Sequence, residues 1–138
     1  MSRKADGRLL AGFRRALQEQ RLRMVYQPKV AMREGKLTRV EALVRWDDPE
    51  LGPIEPSRFV PLAEESGFII ALGRYVLREA CEQAMRWSRA GGTPTTIQVN
   101  LSAREFQDPA LADDVARILA GAGLAPRWLQ LEITERLA

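Results

Sequence analysis

Three residues in this chain have the type and placement to hold a hard metal ion: Glu41, Asn100 and Glu132. Each stands in an extended segment where apolar and polar residues alternate. In 37–46 (LTRVEALVRW), Val40, Ala42 and Val44 share one face, and Glu41, Leu43 and Arg45 share the other. In 95–102 (TTIQVNLS), Ile97, Val99 and Leu101 oppose Thr96, Gln98, Asn100 and Ser102. In 128–134 (WLQLEIT), Leu129, Leu131 and Ile133 oppose Gln130, Glu132 and Thr134. Two carboxylates and an amide carbonyl make a partial oxygen shell for a divalent cation. Arg45, two residues beyond Leu43 on the same face, could meet a phosphate. Gln27, in the segment 22–31 (LRMVYQPKVA), could reach the same ligand. Taken singly, each is better explained as a solvated strand residue or an ion-pair partner. Three strands that agree in phase and in end position point to a shared site.

Other chemistries are excluded by composition. The chain has no histidine, so Ser-His-Asp triads, Cys-His pairs and His-ligated metals are absent. Its single cysteine, Cys81, forbids an intramolecular disulfide and a Cys-based zinc cluster. Any metal must therefore sit among oxygen ligands, as Mg²⁺ or Mn²⁺ do. No run of about 18 apolar residues occurs to span a membrane, and the N-terminus MSRKADGRLLAGF lacks the apolar stretch of a secretory signal. A cytoplasmic location is expected, without DNA or membrane partners. With 138 residues, 46% hydrophobic and 28% charged, the chain reads as one globular domain or a piece of one. The net charge of +3 is uneven: residues 1–23 hold seven of the 21 Lys and Arg but only two of the 18 acids. That basic segment reads as a solvated helix face, with Leu10, Phe13 and Leu17 as its apolar stripe.

The elements that must position these residues alternate. A helix is expected over 5–20, strands over 22–31 and 37–46, a polar loop over 47–56 and a short helix over 57–66. A long helix follows over 68–89, with Ile69, Leu72, Val76, Ala80 and Trp87 at helical spacing. A third strand spans 95–102. Asp108-Pro109 reads as a helix start, with Asp as N-cap and Pro in the first position. The fourth strand spans 128–134. From the second strand on, the order implies parallel strands with helical crossovers. About five residues join the first two strands, too few for a crossover, so that pair should be antiparallel. Ligands bind at the carboxyl ends of strands in such α/β sheets. Tyr75, Cys81 and Trp87 read as packing residues on the long helix. Trp128 should open the fourth strand as core, whereas Trp46 either packs under a loop or stacks a base.

Five segments in order resemble the N-terminal part of an EAL domain, the bacterial cyclic-di-GMP phosphodiesterase family. They are Tyr26-Gln27-Pro28-Lys29-Val30, Glu41-Ala42-Leu43-Val44-Arg45-Trp46, Phe59-Val60-Pro61-Leu62-Ala63-Glu64, Val99-Asn100-Leu101-Ser102 and Leu131-Glu132-Ile133-Thr134-Glu135. Glu41-Ala42-Leu43 is the tripeptide that names the family. The resemblance runs from about residue 8 to 137. It implies an α/β fold, a modified TIM-type (βα)₈ barrel whose first strand runs antiparallel. It implies hydrolysis of one phosphodiester bond of cyclic-di-GMP to linear pGpG, with two Mg²⁺ or Mn²⁺ ions. Under it, Glu41, Asn100 and Glu132 are metal ligands, Gln27, Leu43 and Arg45 are substrate contacts, and Glu135 steadies an active-site loop.

A full barrel of this kind takes about 250 residues. The 138 residues here supply about four of eight strands, so 1–138 reads as a partial EAL domain: a leading basic helix over 5–20 and the first half of the barrel over 22–138. The segments that complete the family's metal and substrate shell are not in this sequence. The chain is expected to be inactive by itself, to be truncated or clipped, and to self-associate through open barrel edges. A longer protein leaves room for an upstream sensor or GGDEF domain. Two other readings remain open: a non-catalytic module that binds cyclic-di-GMP or a protein, and polar strand faces that merely line an oligomer interface.

Overall fold

Residues 3–30, 35, 37–92 and 95–134 are described by the computed structural model. The chain begins with helix α1 (Arg3–Gln18), then strands β1 (Arg23–Val30), β2 (Leu37–Asp48) and β3 (Gly52–Ile54). Helices α2 (Pro56–Ser66) and α3 (Ile69–Arg89) lead to β4 (Thr96–Ser102). The short helix α4 (Ala103–Phe106), α5 (Leu111–Ala122) and a 3₁₀ turn over Pro126–Trp128 lead to β5 (Leu129–Thr134). The sheet order is β1-β2-β4-β5, with β3 paired to the end of β2. β1 and β2 are antiparallel, while β2, β4 and β5 are parallel, as the loop lengths require.

Alternation along each strand sends the aliphatic residues to the helices. Ala42, Ile97, Val99 and Leu101 are buried there with Leu72, Leu77 and Ala80 of α3, and Val40 is buried as well. Cys81 is fully buried, and burial, with Glu82 beside it, pushes its thiol up to about 11, which leaves it a packing residue. Tyr75 is buried and donates to the Leu22 carbonyl at 2.7 Å, and Trp87 packs edge-on against Tyr26. Arg74, at 8% exposure, reaches from α3 to Asp108 and Asp114, each at 2.8 Å, and so pins α5 to the long helix.

Helix α1 buries Leu9, Phe13 and Ala16. Leu17 joins them against the core, but Leu10 does not reach it, so the apolar stripe is turned slightly from the expected Leu10-Phe13-Leu17 line. Phe13 stacks on Phe59 of α2 at 5.3 Å, and both meet Trp46 edge-on at 5.6 and 5.7 Å. Each such aromatic pair contributes about 0.5–1.5 kcal/mol beyond its buried area. Trp46 is 1% exposed, which decides its role as core.

Three expectations are corrected. The loop over 47–56 contains β3, because β2 continues to Asp48 and turns back on itself, with the Asp48 carboxylate accepting the amides of Glu50 and Leu51 at 2.9 Å. The described sheet therefore has five strands, not four. The helix expected from Pro109 begins at Leu111 with Ala110 as its N-cap. The Asp108 side chain accepts the Ala110 amide at 3.0 Å, closing a local turn that delays the helix. Trp128 ends a 3₁₀ turn just before β5, half-buried against the core.

Candidate functional site

The sheet face away from the helices carries the polar residues in rows. Backbone pairing aligns Gln27 with Glu41, Glu41 with Gln98, and Gln98 with Gln130 across all four main strands. One step toward the carboxyl ends of the parallel strands, Asn100 pairs with Glu132, and one step further Ser102 pairs with Thr134. Parallel pairing with a side-chain period of two is what brings residues 59 and 91 positions from Glu41 onto one surface.

Glu41 is the centre of a hydrogen-bonded chain. Asn100 Nδ2 donates to Glu41 Oε2 at 2.7 Å, and Gln98 Nε2 donates to Asn100 Oδ1 at 3.0 Å. Lys29 Nζ lies 3.2 Å from Glu41 Oε1 and 3.3 Å from Gln27 Oε1. Burial by itself would raise the Glu41 pKa. The Asn100 and Lys29 hydrogen bonds, the Lys29 charge and the more distant Arg39 charge outweigh it, and the carboxyl is held below its ordinary value. Glu41 is thus an ionised oxygen donor at neutral pH.

Glu132 stands beside Asn100 in register, exposed, with Gln130 Nε2 at 3.5 Å from its Oε1. Among the described residues, no three Asp, Glu, His or Cys side chains converge to a metal cluster. The structure therefore joins Glu41 to Asn100 directly and leaves Glu132 as their neighbour. Leu43 and Arg45 line a cavity of about 230 Å³ at the strand ends, together with Asn100, Ser102, Glu105 and Thr134. Arg45 Nη1 donates to the Val44 carbonyl at 3.0 Å. Gln27 is exposed on β1, outside that cavity. Glu135 lies outside the described residues.

Reading from sequence missed Lys29 and Glu105. Lys29 lies two residues beyond Gln27 and so shares its face, a signal that alternation alone carries. Glu105 is the fourth residue of Ser102-Ala103-Arg104-Glu105, a capping-box pattern. Its side chain is 3% exposed, and burial, against the opposing hydrogen bonds of Ser102, pushes its carboxyl up to about 6.

The profile of the EAL domain family matches residues 11–138. The chain belongs to the EAL domain family. It is 44% identical over 130 residues to the bifunctional diguanylate cyclase/cyclic di-GMP phosphodiesterase MucR of Pseudomonas aeruginosa, covering 94% of this chain and 19% of MucR. It is 39% identical over 127 residues to the oxygen sensor protein DosP of Escherichia coli, covering 92% of this chain and 16% of DosP. Among solved structures, the MucR phosphodiesterase in complex with c-di-GMP superposes with a TM-score of 0.87 at 44% identity, covering 93% of this chain and 52% of that one. The Xanthomonas citri FimX EAL domain in complex with c-diGMP gives a TM-score of 0.81 at 26% identity, covering 96% of this chain and 51% of that one. The chain thus spans less than a fifth of these two curated relatives and about half of these two solved chains. Within this family the sheet is part of a TIM-like barrel. Among the described residues, no helix is long and apolar enough to cross a membrane.

Proposed function

We propose that this chain is the N-terminal half of a metal-dependent phosphodiesterase that hydrolyses cyclic-di-GMP to pGpG. The observation that carries this reading is the ionised Glu41 carboxylate joined to Asn100 at 2.7 Å, with Glu132 next in register, on the polar sheet face of an EAL fold. The donor set suits Mg²⁺ or Mn²⁺: Glu41 Oε1 already holds a cation, the Lys29 ammonium at 3.2 Å, and the remaining donors are all oxygen or amide groups. Glu41, Glu132 and the Asn100 side-chain carbonyl would hold the metal, which when bound supplies charge neutralisation at the phosphate and an activated water. Lys29 must then yield its place on Glu41, and the Asn100 amide must turn its oxygen toward the ion. Arg45 would exchange its bond to the Val44 carbonyl for the dinucleotide phosphate. Leu43 and Gln27 would contact the nucleotide on either side, and Glu135 would steady a neighbouring loop.

The relatives support a further point. On this reading 1–138 is a partial domain whose site a following half would complete, and its coverage of about half of the MucR and FimX EAL chains supports it. The β5 edge, paired only with β4 among the described residues, and Ile133, 54% exposed, suit either that half or self-association. A sensor or GGDEF domain upstream fits the much greater length of the relatives.

Chromatography of pGpG tests this. The purified chain with cyclic-di-GMP and Mn²⁺ should form none, whereas the chain continued by the C-terminal half of the MucR EAL domain should form it, and Glu41→Gln should abolish that activity. An inactive but folded completed domain would contradict the phosphodiesterase assignment. Steady pGpG from the chain alone would contradict the partial site.

A further inference from the structure

We infer that Glu105 is a positioning residue for this site: wedged over Gly73 of α3, its side chain clamps the Ser102 amide and fixes the end of β4 that presents Asn100. The inference rests on the proposed role of Asn100. Four observations carry it. Glu105 Oε2 accepts the Ser102 backbone amide at 2.8 Å, and Ser102 Oγ accepts the Glu105 amide at 3.3 Å, so the two residues are locked reciprocally. The other carboxylate oxygen, Oε1, is buried without a hydrogen-bond partner in the described structure, so van der Waals packing seats it. That seat exists only because residue 73 is glycine, since a Cβ there would stand 1.6 Å from Oε1. Ser102 and Asn100 are two residues apart on one face of β4, and both line the cavity with Arg45 and Glu105.

The clamp joins two elements that the sheet alone does not tie together. Helix α3 is the long buried spine of the helical layer, and β4 is the strand that carries Asn100. On its other side the strand end is held by Thr134 Oγ1, which donates to the Leu101 carbonyl at 3.2 Å. Asn100 must keep its side chain within hydrogen-bond reach of Glu41, and small displacements at a site cost disproportionately. The clamp needs an acceptor oxygen at this place, not a charge. Glutamine would keep the acceptor and the shape.

The test uses the 138-residue chain with Glu105→Ala, Glu105→Gln and Gly73→Ala, read by amide hydrogen exchange and by Mn²⁺ affinity from electron paramagnetic resonance. Losing one such hydrogen bond corresponds to about a tenfold change. Glu105→Ala and Gly73→Ala should each speed exchange at the Ser102 amide about tenfold and weaken Mn²⁺ about tenfold, with the Leu77 amide in α3 still protected. Glu105→Gln should leave both no worse than about threefold from wild type. The inference is overturned if Glu105→Ala leaves Ser102 exchange and Mn²⁺ affinity within about twofold, or if Glu105→Gln is as damaging as Glu105→Ala. If Gly73→Ala does not fold, the two Glu105 variants decide. If wild type binds no Mn²⁺, the metal reading fails, and the exchange at Ser102 and at the Asn100 side-chain amide decides the clamp by the same criteria.

Discussion

At pH 7.5 the Glu105→Gln chain should be more stable than wild type, although glutamine makes no new contact. Glu105 is 3% exposed, and burial raises its carboxyl to about 6 from an ordinary 4.5. A carboxyl whose pKa is raised on folding favours the folded state while it is protonated. That contribution is complete below about 4.5 and is lost as pH rises through about 6. Above that window the buried charge costs about 2 kcal/mol, because each pKa unit is worth 1.36 kcal/mol. Glutamine keeps the acceptor for the Ser102 amide and carries no charge. The difference between the variants should be near zero at pH 4.5 and grow to about 2 kcal/mol by pH 7.5, equal to about 7 °C in Tm for a chain of this size. Urea unfolding of both proteins at half-unit pH intervals measures it, and other carboxylates cancel in the difference. A difference that stays flat from pH 4.5 to 7.5, or a variant less stable than wild type at high pH, would refute the reasoning.

Other expectations follow from the packing and the charges. Phe13→Ala should cost about 3–5 kcal/mol in chemical denaturation, because Phe13 bridges α1 to Trp46 and Phe59 at the centre of the aromatic cluster; a loss under about 1 kcal/mol would show that α1 is not anchored there. Lys29→Met should raise the Glu41 pKa, since it removes both a hydrogen bond and a positive charge; carboxyl ¹³C shifts against pH measure it, and an unchanged titration would contradict the pairing. Arg74→Met should raise the Asp114 pKa, which the Arg74 hydrogen bond chiefly holds down, so wild-type stability from this pair is present above the ordinary carboxylate pKa and lost as pH falls. A titration of Asp114 that is the same in both proteins would contradict that.

Alternation made the sheet legible from the residues alone. Val40, Ala42 and Val44 against Glu41, Leu43 and Arg45 already define which side meets the helices, and β4 and β5 repeat the pattern in phase. The short connection after β1 likewise sufficed for the antiparallel pair. Pairing partners are a different matter. That Asn100 reaches Glu41 depends on β2 and β4 lying side by side in one register, which crossover handedness and core packing set. β3 escaped notice because three residues with a proline show no period. The α5 start was misplaced because Asp108 can cap a helix or close a turn, and the Arg74 contacts to Asp108 and Asp114 accompany the turn. Trp46 could not be assigned until Phe13 and Phe59, 33 and 13 positions away, were seen to enclose it. Glu105 was written in a capping-box pattern, but its burial over Gly73 is a tertiary fact.

The measurement that bears most directly on the proposed site is calorimetric titration of cyclic-di-GMP, with Mn²⁺, into the chain continued by the C-terminal half of the MucR EAL domain, for the wild-type sequence and Glu41→Ala. Binding to wild type that weakens by about tenfold or more in Glu41→Ala is the expected result, because the variant removes the carboxylate that pairs with Lys29 and Asn100 and would hold the metal. No heat at millimolar dinucleotide, or equal binding by the two proteins, would contradict a nucleotide site on this face.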